Sequence, residues 1–133
     1  PNYFPKQEYV LYNGVDRTKF YNMGIRKSTD KFNIGCIANF WPIKDHINLI
    51  RAINLLVKEG VDDIVLKLIG TGEMLNYCKE FVQANYLEEY VFFEHERAHE
   101  EMNVFYNECF FLLMKKFSVD NPIVSNFKER QYI

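Results

Sequence analysis

Four short apolar runs, separated by segments with helical periodicity, constrain this chain more than any other feature of its sequence. The runs are Asn33 to Ala38, Ile64 to Ile69, Tyr90 to Phe93 and Cys109 to Met114. Each is nearly all apolar and too short for a buried helix, the pattern of a strand covered on both faces. Between the first two runs, Ile47, Leu49, Ile50, Ile53, Leu56 and Val57 recur at helical spacing. Asp45 stands at the N-cap of that segment, which covers His46 to Lys58, and Gly60 ends it. Glu73 to Ala84 places Leu75, Cys78, Phe81 and Val82 on one face, and Glu100 to Asn107 predicts a third helix. Strands and helices alternating at this spacing predict successive right-handed βαβ units, hence an α/β, doubly wound parallel sheet of Rossmann type. Such sheets bind ligands beyond the carboxyl ends of their strands. Functional residues therefore belong in the loops after Ala38, Ile69, Phe93 and Met114.

The 133 residues suit one domain with a real core. Hydrophobic residues at 48% and charged residues at 26% fit a soluble globular protein. The 17% aromatic content serves a thick core or a stacking surface, with the core reading favoured. A net charge of -2 leaves no basic excess for a phosphate backbone, so nucleic acid is not the expected partner. Cys36, Cys78 and Cys109 are odd in number and far apart, neither a disulfide framework nor a zinc spacing. Two of them sit inside apolar runs and read as small buried hydrophobes in a reducing compartment. No signal peptide or membrane-length apolar run is present. A chain that starts at Pro1 without Met is expected to be a fragment, so this says little about a parent protein. Residues 1–31 are polar and broken, with one apolar stretch, Tyr9 to Tyr12, turning at Asn13-Gly14. They read as a lead-in strand and linker, and residues 32–133 as the Rossmann-like domain.

Three loops could carry chemistry. Lys44 precedes a helix N-terminus, whose unpaired N–H groups and partial positive charge favour anions, but it also reads as an exposed lysine beside a capping Asp45. Gly70-Thr71-Gly72 opens a helix after a strand, which lets backbone approach a phosphate or sugar or simply makes a tight turn. The full dinucleotide fingerprint and its acidic ribose ligand are missing, which disfavours NAD. His95-Glu96-Arg97-Ala98-His99 matches H-E-x-x-H, a zinc motif when it lies on one helix. Here it follows an apparent strand, and Arg97 puts a cation between the would-be ligands. The match reads as coincidence, with no metal site. Past the fourth strand, Asp120 and Glu129 are carboxylates able to accept hydrogen bonds from ribose or sugar hydroxyls, or residues of a polar loop.

Taken in order, these pieces resemble glycosyltransferase family 4, also called group 1, of GT-B fold. Asn13-Gly14-Val15-Asp16 followed by Phe20 is similar to the signature leading into the C-terminal domain of that family. Ile37-Ala38-Asn39, then Lys44-Asp45-His46 and Leu49-Ile50-Arg51-Ala52, resembles its strand, loop, lysine and helix. Leu68-Ile69-Gly70-Thr71-Gly72-Glu73 resembles its hydrophobic-G-x-G turn. Val91 to Phe93, His99 to Met102, Tyr106 and Phe110 to Leu113 follow the next strand, helix and strand.

The resemblance implies the nucleotide-sugar-binding, C-terminal half of a retaining glycosyltransferase of glycan or polysaccharide biosynthesis. The donor is a nucleoside diphosphate sugar, bound without a metal or other cofactor. The acceptor is a glycan or lipid-linked molecule, held by an N-terminal domain missing from this chain. Lys44 would hold the diphosphate, Gly70 and Gly72 would line the cleft, and Glu94 to Arg97, His95 included, would meet the base largely through backbone. Where the family has an arginine, five or six residues before the lysine, this chain has Asn39. The family also carries two glutamates eight apart, for sugar and ribose. Here Asp120 stands for the first, but the position eight on is Lys128, and Glu129 is one step late. The domain is expected to be incomplete at its C-terminus and inactive alone. A cytoplasmic location follows, with the parent peripheral at the inner membrane face. Two other readings compete: a non-catalytic Rossmann-like binding domain, and a GT-B sugar epimerase.

Overall fold

A computed structural model describes residues 14–26 and 30–113 of the chain. Four strands run parallel: β1 (Phe32–Ile37), β2 (Ile64–Ile69), β3 (Val91–Glu94) and β4 (Phe111–Leu113), in the order β3-β2-β1-β4. Helices α1 (His46–Lys58), α2 (Leu75–Ala84) and α3 (Met102–Glu108) connect them, and Pro42–Lys44 forms a 3-10 turn before α1. Phe32 pairs with Ile64 and Ile37 with Ile69, so β1 and β2 are aligned over their whole lengths. The chain steps outward from β1 to β3, then α3 returns it to the far side of β1. That reversal is what opens a crevice at the carboxyl ends of a parallel sheet.

Side-chain alternation assigns the two faces. Ile34, Cys36, Ile64, Leu66 and Leu68 belong to a core shared with Ile50 and Ile53 of α1 and Cys78 and Val82 of α2. Ile37 and Ile69 turn the other way and pack with Phe105, Tyr106 and Cys109 around α3. Helices thus cover both faces, the doubly wound arrangement expected from the apolar runs. All three cysteines are buried, and burial pushes the Cys36 and Cys78 thiols up.

Gly35 explains the close seat of α3. A Cβ there would lie 2.7 Å from Cys109 Sγ and 2.8 Å from Phe105 Cε1. A glycine inside a strand here admits an aromatic ring from the helix above it.

The boundaries shift from the sequence expectation by one or two residues. The second helix starts at Leu75 rather than Glu73 and the third at Met102 rather than Glu100. Asp45 flanks α1 but in left-handed backbone (φ 54°), and its side chain makes no cap bond. It accepts instead from Asn48 Nδ2 at 2.8 Å. The lead-in strand at Tyr9 to Tyr12 lies outside the described residues.

The polar stretch read as linker is tied down where it is described. Tyr21 N–H donates to Asn103 Oδ1 (3.2 Å), Met23 N–H to Asn107 Oδ1 (2.9 Å), and Asn107 Nδ2 to the Tyr21 carbonyl (3.0 Å). Phe20 packs edge-on to His99, with ring centroids 5.1 Å apart. Just upstream, hydrogen bonds from Thr18, side chain then backbone, hold the Asp16 carboxyl below its usual range. One face of α3 therefore packs on the sheet, and two asparagines one turn apart clamp the preceding segment.

Candidate functional site at the carboxyl ends of the strands

The loops after β1 and β2 are built as one unit. The Ala38 N–H donates to the Ile69 carbonyl (3.0 Å), the Phe40 N–H to the Thr71 carbonyl (2.7 Å), and the Met74 N–H to the Phe40 carbonyl (2.9 Å). The strand ladder continues past the strand ends and locks the two loops together. Such close backbone approach needs glycine. Gly70 and Gly72 have φ of +148° and +147°. A Cβ on Gly70 would overlap the Ala38 carbonyl oxygen, and one on Gly72 would lie 2.7 Å from the Phe40 carbonyl oxygen.

Phe40 anchors this unit from below. It is fully buried, stacks on the His46 ring (centroids 4.0 Å apart, planes 17° apart) and tilts against Phe93 at 5.9 Å. His46, the first residue of α1, is buried too, and neither ring nitrogen makes a hydrogen bond. Burial lowers its pKa, while the nearby Ala38 backbone and Asp45 carboxylate oppose the shift and Lys44 adds to it. The unfolded chain then binds more protons than the folded one near and below the ring's ordinary value of about 6.5, so stability is lost as the pH falls through that range. The melting temperature of the parent should drop more steeply between about pH 7.5 and 5.5 than that of His46→Leu, which has no ring to protonate. Parallel pH profiles for the two would contradict this account of the buried ring.

A cleft of about 240 Å³ lies above the sheet, lined by Ile37 and Ile69 at the ends of β1 and β2, by Ala38, Asn39 and Gly70 of the joined loops, and by Glu96, Arg97 and Met102. The segment 95–98 that follows β3 is not helical, so it lacks the geometry that H-E-x-x-H needs to bring two histidines to one face. Among the described residues no three metal-ligating side chains cluster. Arg97 reaches back to Glu94 through Nε (3.0 Å) and, more closely, Nη2, and its Cζ lies 5.2 Å from the centroid of the Phe105 ring. Glu94 is also 3.9 Å from Lys67, which is 3.6 Å from Glu108. Thr71 Oγ1 approaches Glu96 Oε1 across the cleft at 3.5 Å.

The candidate residues distribute unevenly around this space. Asn39, Gly70, Glu96 and Arg97 line it. Gly72 packs on the Phe40 backbone one step away, and Glu94 stands behind Arg97 as its ion-pair partner. His95 is exposed in the same loop. Lys44 sits at the end of the 3-10 turn, close enough for its charge to act on Cys36 and His46. Asp120 and Glu129 lie outside the described residues. In the sequence Arg97 stood as an obstacle to zinc and as the end of a loop meeting the base through backbone, and its side chain was not singled out. The signal available was a cation in the loop after a strand, where such sheets bind ligands.

This arrangement of strands, crossover and glycine-turned loops has counterparts among solved structures. The C-terminal domain of a glycosyl transferase group 1 family protein (LpcC) from Francisella tularensis superposes with a TM-score of 0.64 at 20% identity, over 74% of this chain and 57% of that domain. This chain has the fold of a GT-B C-terminal domain. S. aureus TarM, as a point mutant in complex with fondaparinux, alpha-GlcNAc-glycerol and UDP, matches with a TM-score of 0.57 at 17% identity, over 70% of this chain. The pneumococcal O-GlcNAc transferase GtfA, in complex with UDP and GlcNAc, matches with a TM-score of 0.57 at 13% identity, over 70% of the chain. This chain spans 19% of TarM and 17% of GtfA. No protein-family model matches the sequence, and no curated protein matches it. Among the described residues no helix is long and apolar enough to cross a membrane.

Proposed function

We propose that this chain is the donor-binding domain of a retaining glycosyltransferase of family 4, and that the parent moves a sugar from a nucleoside diphosphate donor to a glycan or lipid-linked acceptor in polysaccharide biosynthesis. The observation that carries the reading is the cleft at the carboxyl ends of β1 and β2, framed by two loops that glycines bring into backbone contact. Its setting in a GT-B-type sheet supports it, as do two structural neighbours solved with UDP. In this proposal the leaving diphosphate is met by basic side chains and the N-terminal end of α1, with no metal or other cofactor. Lys44 is the diphosphate ligand, and Asp120 and Glu129 serve the sugar and ribose. The acceptor site belongs to a separate N-terminal domain of a parent that works on the cytoplasmic side of a membrane. Without that domain the reacting groups are not held together, so this chain alone turns over no substrate.

Lys44→Ala in the intact protein should weaken nucleoside diphosphate binding by about 1.5–3 kcal/mol, the usual size of a charge-assisted hydrogen bond. That is roughly one to two decades in affinity. The free nucleoside, which lacks the phosphates, should bind the variant and the parent alike. Calorimetric titration with UDP, GDP, uridine and guanosine separates these effects. A Lys44→Ala variant that holds UDP or GDP as tightly as the parent would remove Lys44 from the site.

A further inference from the structure

Of the described residues that line the cleft, Arg97 alone is positively charged, and Glu96 beside it is the one acid. Asn39, on the opposite wall, is a neutral amide. The Arg97 guanidinium is fixed from two sides, by Glu94 through Nε and Nη2 and by the face of Phe105. That hold takes one edge of the planar fork and leaves three of its five N–H groups for another partner. Glu94 divides its charge between Arg97 and Lys67, so it neutralises neither cation fully. Phe105 is itself wholly buried and cannot swing away, so the ring beneath the guanidinium is a fixed floor. A cation pre-oriented at the mouth of a cleft is suited to bidentate recognition of phosphate oxygens.

We infer that the Arg97 side chain is a second diphosphate ligand, reaching across the cleft to the phosphate that the Asn39 wall leaves without a cation. The inference rests on the reading of the cleft as a nucleotide-sugar site. It assigns a diphosphate contact to a side chain of the loop after β3, a loop to which the family resemblance gave only the base, largely through backbone. Glu96 has the opposite effect: its carboxylate raises the local negative potential and restrains how much charge the cleft accepts. Neighbouring residues on one wall therefore have opposite signs of effect on an anionic ligand, which a merely structural role for the loop would not produce.

The experiment titrates the intact parent, Arg97→Gln, Arg97→Lys and Glu96→Gln with UDP and GDP, and with uridine and guanosine as uncharged controls. Arg97→Gln should weaken binding of the preferred diphosphate by about ten- to a hundred-fold and leave its nucleoside unchanged. Arg97→Lys, which keeps the charge but not the fork, should fall between it and the parent. Glu96→Gln should bind the diphosphate at least as tightly as the parent. If Arg97→Gln fails to fold, the Arg97→Lys and Glu96→Gln arms decide. A parent that binds UDP or GDP while Arg97→Gln binds it equally well overturns this inference and leaves the proposed function standing. Equal losses for diphosphate and nucleoside also overturn it, because they mark a structural role. A folded parent that binds neither diphosphate overturns the proposed function, and this inference with it.

Discussion

Phe40→Ala should lower the unfolding free energy by about 3–5 kcal/mol, the usual range for deleting a buried aromatic ring. The ring is fully buried, stacked on His46 and tilted against Phe93. Its own backbone bonds both Thr71 and Met74, so the cavity opens beneath the joint of the two site loops. Total stabilities of small domains are about 5–15 kcal/mol, so this single change removes a large share. Urea unfolding followed by circular dichroism measures it directly. A loss under about 1 kcal/mol would mean that the ring does not fill the core as described.

Gly70→Ala should also cost about 3 kcal/mol or more, from two sources at one position. The backbone at φ +148° is a conformation that only glycine adopts readily, a penalty of about 1–3 kcal/mol for another residue. The new Cβ would also run into the Ala38 carbonyl, and overpacking of this kind costs about 1–3 kcal/mol. The obstacle is backbone rather than a flexible side chain, so relief requires the β1 and β2 loops to part. Gly60→Ala isolates the first source, since Gly60 has φ +88° and nothing lies within 4 Å of its Cβ position. Gly60→Ala should therefore cost only about 1–2 kcal/mol. Comparable losses for the two variants would show that the loops are not locked as described.

These two residues also show what was legible in the sequence. The strands could be read because each is buried on both faces and leaves an unbroken apolar run, as in Ile64 to Ile69. The second helix could be read from its apolar stripe, but its start could not: Glu73 and Met74 precede the helix, and the Met74 N–H donates to the Phe40 carbonyl. That bond depends on a loop distant in sequence. Gly70 and Gly72 stood out as a motif for close ligand approach, whereas their nearest neighbours are the carbonyls of Ala38 and Phe40. Periodicity cannot distinguish a glycine needed by a ligand from one needed by another loop. The clamp made by Asn103 and Asn107 was hidden for a related reason. Their spacing puts them on one helix face, but nothing local says that residues 20–23 will lie against it. His46 read simply as the start of a helix, because its burial comes from the ring of Phe40 stacked on it. The site was legible at the level of which loops form it, and its individual contacts were set by packing between those loops.

On the proposed function, this cleft holds the nucleoside diphosphate portion of a sugar donor. The most direct measurement is an amide-resolved NMR titration of the chain with UDP and with GDP. One of the two should bind saturably, and the largest shifts should cluster at Ala38, Asn39, Gly70, Glu96 and Arg97, with the amides of the clamped segment around Tyr21 and Met23 unmoved. A folded chain whose spectrum is unchanged by either nucleotide at millimolar concentration, or whose shifts fall away from the carboxyl ends of β1 and β2, would contradict the claim.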